Sequence, residues 1–205
     1  MKDFYWAKKE EERSEDSRSQ HEEKTAPSFI EVVENRIYFY SDINRDKILQ
    51  LNRNLRNKGI ELQREASVQN REPANIYLHI QSSGGDIFAG MAGMDEIIKS
   101  IVPVHTMIDG CCASAATLLS ICGKKRFINR HAYMLIHQLS SFMWGKYEEI
   151  KDEVQNLDKF MAIIKQVYAE YTKIPMKKLE EILKHDLWFD ANECKEYGLV
   201  DEIII

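Results

Sequence analysis

Three short segments of the chain hold the residue types that nucleophilic catalysis uses: a glycine pair, a serine and a histidine. The first segment, residues 82–86, contains Gly84 and Gly85 and follows a run of alternating apolar residues. Glycines at a strand end leave backbone N–H groups uncovered by any Cβ, beside the start of the next helix. Such groups suit an anion or a developing oxyanion. The alternative interpretation is an ordinary turn.

The second segment, residues 109–116, places Ser114 at a predicted strand-to-helix turn. Gly110 allows a sharp turn, and the small residues after it let a helix begin close to the sheet. A serine hydroxyl near the positive end of a helix can become a nucleophile, because that end favours a developing alkoxide. The alternative is a serine that caps the helix. Cys111 and Cys112 are competing nucleophiles, which we interpret as small buried spacers.

The third segment ends in His137, which follows a short apolar run. This histidine is a candidate general base, and the alternative is a structural histidine with satisfied ring nitrogens. Four other histidines lie in predicted strands, in a turn and in the N-terminal segment: His79, His105, His131 and His21. No pair has the spacing of metal ligands, so no metal is predicted.

Strands and helices alternate around these segments, which indicates βαβ units and therefore an α/β domain. Residues 63–73 are predicted to be a polar loop. Strands are predicted over residues 30–43, 76–80, 104–108, 126–128 and 133–136, and helices over residues 46–62, 87–101 and 113–121.

A long helix is predicted over Tyr147–Tyr171, where apolar residues recur at spacings of three and four. At 1.5 Å per residue it would be roughly 37 Å long. Its apolar seam could lie across the core of the same chain, but the length favours packing against another copy. Residues 175–184 then form a short helix, and Asp190 and Glu193 form a capping box for the last one.

Composition and charge exclude several classes of partner. The net charge of −5 gives no electrostatic reason to expect nucleic acid or an anionic membrane. No apolar run approaches the roughly 18 residues of a membrane span. Four cysteines form neither a disulfide framework nor a CxxC metal site, which indicates the reducing cytoplasm.

The N-terminal segment has a composition of its own. Residues 1–27 hold six basic and eight acidic side chains and lack the apolar centre of a secretory signal. Such a segment buries too little to order itself, so we predict a disordered or cleaved extension, with cleavage near residues 25–28. The remaining residues, 28–205, are predicted to form one domain.

In combination, the three segments resemble the proteolytic subunit of the Clp protease family. The resemblance rests on Ser83-Gly84-Gly85, on a Gly-x-x-Ala-Ser motif 25 to 29 residues later, and on Met-x-Ile-His-Gln at residues 134–138. Near the C-terminus, residues 189–201 are similar to another block of that family. The resemblance implies the fold of Clp proteolytic subunits and crotonases, a right-handed spiral of βαβ units. It also implies that Tyr147–Tyr171 is that family's protruding handle helix.

The resemblance also assigns roles to individual residues. Ser114 falls on the nucleophile, His137 on the general base and Asp186 on the third member of a catalytic triad. The backbone N–H groups of Gly85 and Ala115 fall on the family's oxyanion hole. Together these residues imply the chemistry of a serine peptidase.

Several positions depart from the family's pattern. The family usually has proline where this chain has Leu139, and a glycine-rich segment where it has residues 140–145. His185 stands where an arginine often pairs across two stacked rings. The family's axial loop is not recognisable in residues 1–30. Asp190 is a second aspartate close to Asp186, but its capping box accounts for it.

The sequence therefore predicts a serine endopeptidase that hydrolyses unfolded polypeptides or peptides inside a ring-shaped chamber. The resemblance implies homo-oligomeric rings, either a heptamer or a double ring, and a separate AAA+ unfoldase that would hydrolyse ATP. Three alternatives stay open: a crotonase-like enzyme acting on acyl-CoA, a catalytically silent ring subunit, and a viral capsid-maturation protease of the same family.

Overall fold

Eight strands and six helices alternate along residues 30–142 and 144–204, which are the residues that the computed structural model describes. The predicted N-terminal extension, residues 1–27, lies outside them. The strands are β1 (Ile30–Val33), β2 (Arg36–Tyr40), β3 (Ile76–Ser82), β4 (Val104–Ala113), β5 (Arg126–Asn129), β6 (Tyr133–Leu135), β7 (Trp188–Phe189) and β8 (Glu202–Ile204). The helices are α1 (Arg45–Gln69), α2 (Ile87–Ile98), α3 (Ala116–Ile121), α4 (Tyr147–Tyr171), α5 (Met176–Ile182) and α6 (Ala191–Glu196).

The strands form one sheet in the order β1-β2-β3-β4-β5-β8, in which every neighbouring pair except β1–β2 is parallel. The long strand β4 has two successive partners on the same edge. Its first half pairs with β5, and its last three residues, from Cys111 to Ala113, pair with β6. Its register with β3 shifts after Ile80. The end of β4 therefore stays paired with β3 but exchanges β5 for β6 on its other edge, which carries the following residue toward β6.

One face of the sheet is buried and the other is partly open. Along β2, Ile37 and Phe39 are fully buried in the hydrophobic core, whereas Tyr38 and Tyr40 on the other face keep some exposure. This alternation is the two-residue period of a strand. The core also contains the buried side chains of α1, α2 and α3, so these helices cover the apolar face and hold the carboxyl ends of β3 and β4 in place.

Two of the predicted boundaries near the N-terminus are wrong. The single strand predicted for residues 30–43 is a hairpin, in which β1 and β2 are antiparallel. Glu34 makes the turn with φ +52°, a left-handed conformation that alternating apolar residues give no hint of.

The polar loop predicted for residues 63–73 belongs largely to α1, which continues to Gln69. Its last turns have one buried apolar side chain, Ala66, while the polar residues around it face solvent. The helix ends where Asn70 takes a left-handed conformation and its N–H caps the helix, an end signal that asparagine supplies as well as glycine does.

The prediction for α4 is confirmed over its full 25 residues. Its apolar seam, however, divides into two parts. Ile164 and Tyr168 are buried in the same chain, whereas Tyr147 is 71% and Val154 44% exposed. The C-terminal half of the seam therefore packs on its own core, and the N-terminal half remains uncovered in the single chain. The capping box of α6, between Asp190 and Glu193, is also confirmed.

Candidate active site

Ser114, His137 and Asp186 come from three different parts of the chain and meet in one hydrogen-bonded row. The Oγ of Ser114 lies 2.8 Å from Nε2 of His137. On the other side of the ring, Nδ1 of His137 lies 3.0 Å from Oδ1 of Asp186. Ser114 and His137 line a cleft of about 340 Å³. A hydroxyl, an imidazole and a carboxylate in this order have the connectivity of a nucleophile, a base and an orienting group.

The turn between β4 and α3 determines where Ser114 points. Its φ is +55°, in the left-handed region that few residues with a Cβ occupy. The N–H of Ser114 donates to the carbonyl of Leu135 at 2.9 Å, which extends the pairing of β4 with β6 by one residue. The N-cap of α3 is Ala115, with no side-chain cap. The serine hydroxyl is therefore not used as a helix cap and faces His137.

His137 stands two residues beyond the end of β6, so the parallel pairing of β6 with β4 brings it beside Ser114. The segment after it is held from both sides. Gln138 N–H donates to the carbonyl of Leu183 at 2.9 Å, and Leu139 N–H contacts the sulfur of Met161 at 3.3 Å. These bonds place the imidazole ring between the serine and the loop that follows α5.

Asp186 lies in the loop between α5 and β7, and its side chain is 77% exposed. The neighbouring candidate, Asp190, has a different task. Its Oδ1 accepts the N–H groups of Asn192 and Glu193 at 2.8 and 2.9 Å, which caps α6. The two aspartates therefore have different roles: Asp186 contacts His137, and Asp190 caps the N-terminus of α6.

The glycine pair is required by close packing against the serine turn. A Cβ on Gly84 would lie 2.6 Å from the Cβ of Ser114 and 2.7 Å from the carbonyl oxygen of Ala113. Gly85 has φ +143°, and a Cβ there would lie 2.2 Å from the carbonyl oxygen of Ile43. No larger side chain fits either position, so these glycines let the loop after β3 approach the candidate nucleophile.

Two backbone N–H groups beside Ser114 have no hydrogen-bond acceptor among the described residues. The loop pairs with Ile43 through the Gly84 carbonyl and the Asp86 N–H, at 2.7 and 2.8 Å, and neither bond uses the Gly85 N–H. Within residues 30–142 and 144–204, the N–H groups of Gly85 and Ala115 donate no backbone hydrogen bond outside the regular elements. Both residues line the cleft. They are available to an oxygen atom bound there.

Of the two competing cysteines, Cys112 is poorly suited to act as a nucleophile. Cys112 is fully buried, and burial raises the pKa of its thiol well above the usual value, which disfavours the reactive thiolate. The prediction of a buried spacer holds for Cys112 but is wrong for Cys111, which is partly exposed because it lies at the bulged end of β4. All four cysteines are free thiols.

No group of three or more His, Cys, Asp or Glu side chains among the described residues could hold a metal ion. No helix there is long and apolar enough to cross a bilayer.

Sequence reasoning did not identify the far wall of the cleft. It is formed by apolar side chains from α2, α3, α4 and the segment after His137. These residues are Phe88, Leu118, Leu139, Ile164 and Tyr168. No motif marks them, because their common feature is a position in space. The one available signal is the apolar seam of α4, whose length by itself favours packing against another copy.

Comparison with known proteins identifies the family. The Clp protease family model matches residues 32–205, nearly the whole part of the chain that the structure describes. The chain belongs to the Clp protease family. The matched range, residues 32–205, spans the loop after β3 and the segments that carry the hydrogen-bonded row.

Three curated relatives show how similar the family members are. The ATP-dependent Clp protease proteolytic subunit 1 of Chlamydia pneumoniae is 34% identical over 133 residues, which cover 63% of this chain and 70% of the relative. Subunit 2 of Treponema pallidum is 35% identical over 131 residues, covering 63% and 66%. Subunit 2 of Treponema denticola is 37% identical over 130 residues, covering 62% and 65%. The chain therefore matches about two thirds of the length of these relatives.

Proposed function

We propose that this member of the Clp protease family is a serine endopeptidase whose nucleophile is Ser114. One observation carries the proposal: a continuous row of hydrogen bonds from the Ser114 hydroxyl through both nitrogens of His137 to Asp186. The same arrangement on unrelated folds performs acyl transfer, because geometry and roles define it. Peptides and unfolded polypeptides are the proposed substrates.

The geometry supports a two-step hydrolysis. Ser114 Oγ attacks the carbonyl carbon of the scissile bond while Nε2 of His137 takes its proton. The imidazolium then gives that proton to the leaving amine, and water repeats the sequence to release the acyl group. Asp186 accepts the Nδ1–H of His137, which fixes the tautomer and stabilises the imidazolium.

The backbone N–H groups of Gly85 and Ala115 are the proposed oxyanion hole. The proposal is supported by the lack of another acceptor for them among the described residues and by their position on the cleft that Ser114 lines. Donors that are already oriented need no rearrangement when negative charge develops on the carbonyl oxygen. No cofactor is required for this chemistry.

The assembly is proposed as homo-oligomeric rings, with α4 as the handle of a spiral of βαβ units. Its support is the uncovered N-terminal half of the α4 seam, where Tyr147, Ile150 and Val154 are exposed. Apolar side chains in a row on a helix are usually covered by a partner. The relatives are named as proteolytic subunits of an ATP-dependent protease, so we extend to this chain a partner AAA+ unfoldase and a place in the cytoplasm.

The catalytic proposal is tested with a fluorophosphonate probe and a short fluorogenic peptide. Wild-type protein should be labelled at Ser114 and should hydrolyse the peptide, and Ser114→Ala should lose both because it removes the attacking oxygen. Loss of a triad member typically costs several orders of magnitude in rate. Cys112→Ala is the matched control and should keep activity. Activity that survives Ser114→Ala and disappears in Cys112→Ala would refute the assignment.

The same measurements separate the rival functions. A crotonase-like enzyme needs no serine nucleophile, so it would escape the probe and act on acyl-CoA. A silent ring subunit would assemble but hydrolyse nothing. A capsid-maturation protease would be active, and a preference for a capsid protein over generic unfolded chains would distinguish it.

The assembly proposal is tested with Leu157→Glu, in the partly exposed middle of α4. Burying an unpaired carboxylate at an interface costs several kcal/mol, so we expect smaller species in sedimentation and a parallel loss of activity. The control is Gln155→Glu, an exposed position on the same helix that lies outside the apolar seam. A Leu157→Glu protein that stays fully assembled and active would contradict a handle role for α4.

A further inference from the structure

The backbone of Ser114 needs support, because a serine in the left-handed region is in a sparsely populated conformation. Its N–H is held by the Leu135 carbonyl, as described above. Its carbonyl is held by one residue, Thr117, which contacts it twice. The Thr117 N–H donates to that carbonyl at 3.0 Å and the Thr117 hydroxyl at 2.6 Å.

The Thr117 hydroxyl has a second partner, the hydroxyl of Tyr168. The direction of these bonds follows from the donors available. A carbonyl oxygen can only accept, so the single proton of the Thr117 hydroxyl goes to Ser114. Tyr168 must therefore donate to Thr117. The result is a directed chain from the tyrosine through the threonine to the serine carbonyl.

Both hydroxyls lie out of reach of solvent. Thr117 has no exposed surface, and Tyr168 is 3% exposed. Valine and phenylalanine would fill the same space without burying two polar groups, a choice that packing alone favours. The hydroxyl pair therefore has a use that shape does not explain, and the atom at its end is the carbonyl of the proposed nucleophile.

These hydrogen bonds also join two helices. Thr117 lies in the first turn of α3, three residues after Ser114, whereas Tyr168 is one of the two buried residues of α4. Tyr168 and Ile164 line the same cleft as Ser114 and His137. Through these contacts, α4 is fixed to the turn that carries the serine.

We propose that Thr117 and Tyr168 are positioning residues, which hold Ser114 in its left-handed conformation so that its hydroxyl stays aligned with His137. The proposal rests on the proposed serine peptidase function. Neither side chain takes part in bond making. Thr117 acts on the Ser114 backbone directly, and Tyr168 acts through Thr117.

The test compares Thr117→Val, Thr117→Ser and Tyr168→Phe in the full chain, with kcat and KM for a fluorogenic peptide. The fluorophosphonate labelling rate is measured per folded molecule. Thr117→Val should lower kcat by about 10- to 100-fold, the range expected when a reacting group is slightly misplaced, with KM changed less than about twofold. Thr117→Ser keeps the hydroxyl and should restore kcat. Tyr168→Phe should have a smaller effect of the same kind.

A double variant separates positioning from stability. In Thr117→Val the buried Tyr168 hydroxyl loses its acceptor, so the melting temperature should fall. Adding Tyr168→Phe removes that hydroxyl and should recover the melting temperature, while kcat stays low because the Ser114 carbonyl still lacks the hydrogen bond from the Thr117 hydroxyl. If kcat recovers together with the melting temperature, the two residues are only structural and the proposal is overturned.

Thr106→Val is the matched control. Thr106 is also fully buried, and its hydroxyl donates to the carbonyl of Ser120 at 2.7 Å, but it does not line the cleft. It should lower stability and leave kcat unchanged. If Ser114→Ala abolishes hydrolysis while Thr117→Val keeps full kcat, the positioning role fails alone. If Ser114→Ala stays active, it is the proposed function that fails.

Discussion

The described part of the chain contains two histidine–aspartate pairs that are nearly identical in their central contact. In one, Nδ1 of His137 lies 3.0 Å from Asp186, and in the other, Nδ1 of His79 lies 2.9 Å from Asp109. Their surroundings differ. The side chains of His79 and Asp109 are 10% and 14% exposed, whereas Asp186 is 77% exposed beside an open cleft.

The group on the second ring nitrogen makes the larger difference. Nε2 of His137 faces the hydroxyl of Ser114, which holds a proton that it can give up. Nε2 of His79 lies 3.1 Å from Nη1 of Arg36. A guanidinium only donates and does not lose its proton in proteins, so this nitrogen is fixed as an acceptor.

The two carboxylates are also used differently. Asp109 accepts from the Tyr40 hydroxyl and from Asn129 as well as from His79. Burial by itself raises the pKa of Asp109, but these hydrogen bonds more than offset it and the pKa lies below its usual value. Burial and the bond to Asp109 raise the pKa of Tyr40, which keeps its hydroxyl a donor. In the pair of His79 and Asp109, both ring nitrogens and the carboxylate have fixed hydrogen-bond partners, so this pair stabilises the sheet. In the pair of His137 and Asp186, the second ring nitrogen faces a proton that can be transferred, so this pair is able to act in catalysis.

The largest expected effect is the loss of peptide hydrolysis when the carboxylate of Asp186 is replaced. Asp186→Asn should lower kcat by about 10⁴-fold, because an amide leaves His137 in the wrong tautomer. Since the side chain is mostly exposed, the free energy of unfolding should change little. Peptide hydrolysis and urea unfolding of the same preparation measure both. An Asp186→Asn protein with nearly normal kcat would remove the aspartate from the proposed triad.

The sequence predicted the elements around the site well, for reasons that particular residues make clear. The spacing of apolar residues defined α4, and the capping box of Asp190 and Glu193 defined the start of α6. Both signals are local, since they depend on residues within one or two turns. The prediction missed the hairpin turn at Glu34 because a glutamate in the left-handed conformation has no sequence signature.

The site itself was predicted through the family resemblance, because local patterns could not choose between the histidines. His79 and His137 are both associated with apolar strands, and each contacts an aspartate far along the chain. Which nitrogen faces a hydroxyl depends on the register of β6 with β4, a long-range property. The link from Tyr168 to Thr117 was missed for the same reason, since 51 residues separate them.

The second expected effect is on stability at the other pair. Asp109→Asn should lower the free energy of unfolding by about 1–3 kcal/mol, because an amide cannot accept from three donors as a carboxylate does. The kcat per folded molecule should stay the same, because Asp109 does not line the cleft. Denaturation midpoints and peptide hydrolysis check the two parts. A loss of kcat without a loss of stability would mean that this pair also serves the reaction.

The smallest expected effect is the pH dependence of that stability difference. The pKa of Asp109 is lowered on folding from its ordinary value of 3.8, so its charged form stabilises the folded state at pH above that value. The contribution should be lost as the pH falls below about 4 toward the lowered pKa. Other carboxyl groups titrate in both proteins and cancel in the difference. The gap between wild type and Asp109→Asn in urea unfolding should therefore narrow as the pH falls from 5 toward 3. A gap that widens with acid would show that the hydrogen bonds around Asp109 favour its neutral form, and the contrast between the two pairs would then rest on His137 and Ser114 alone.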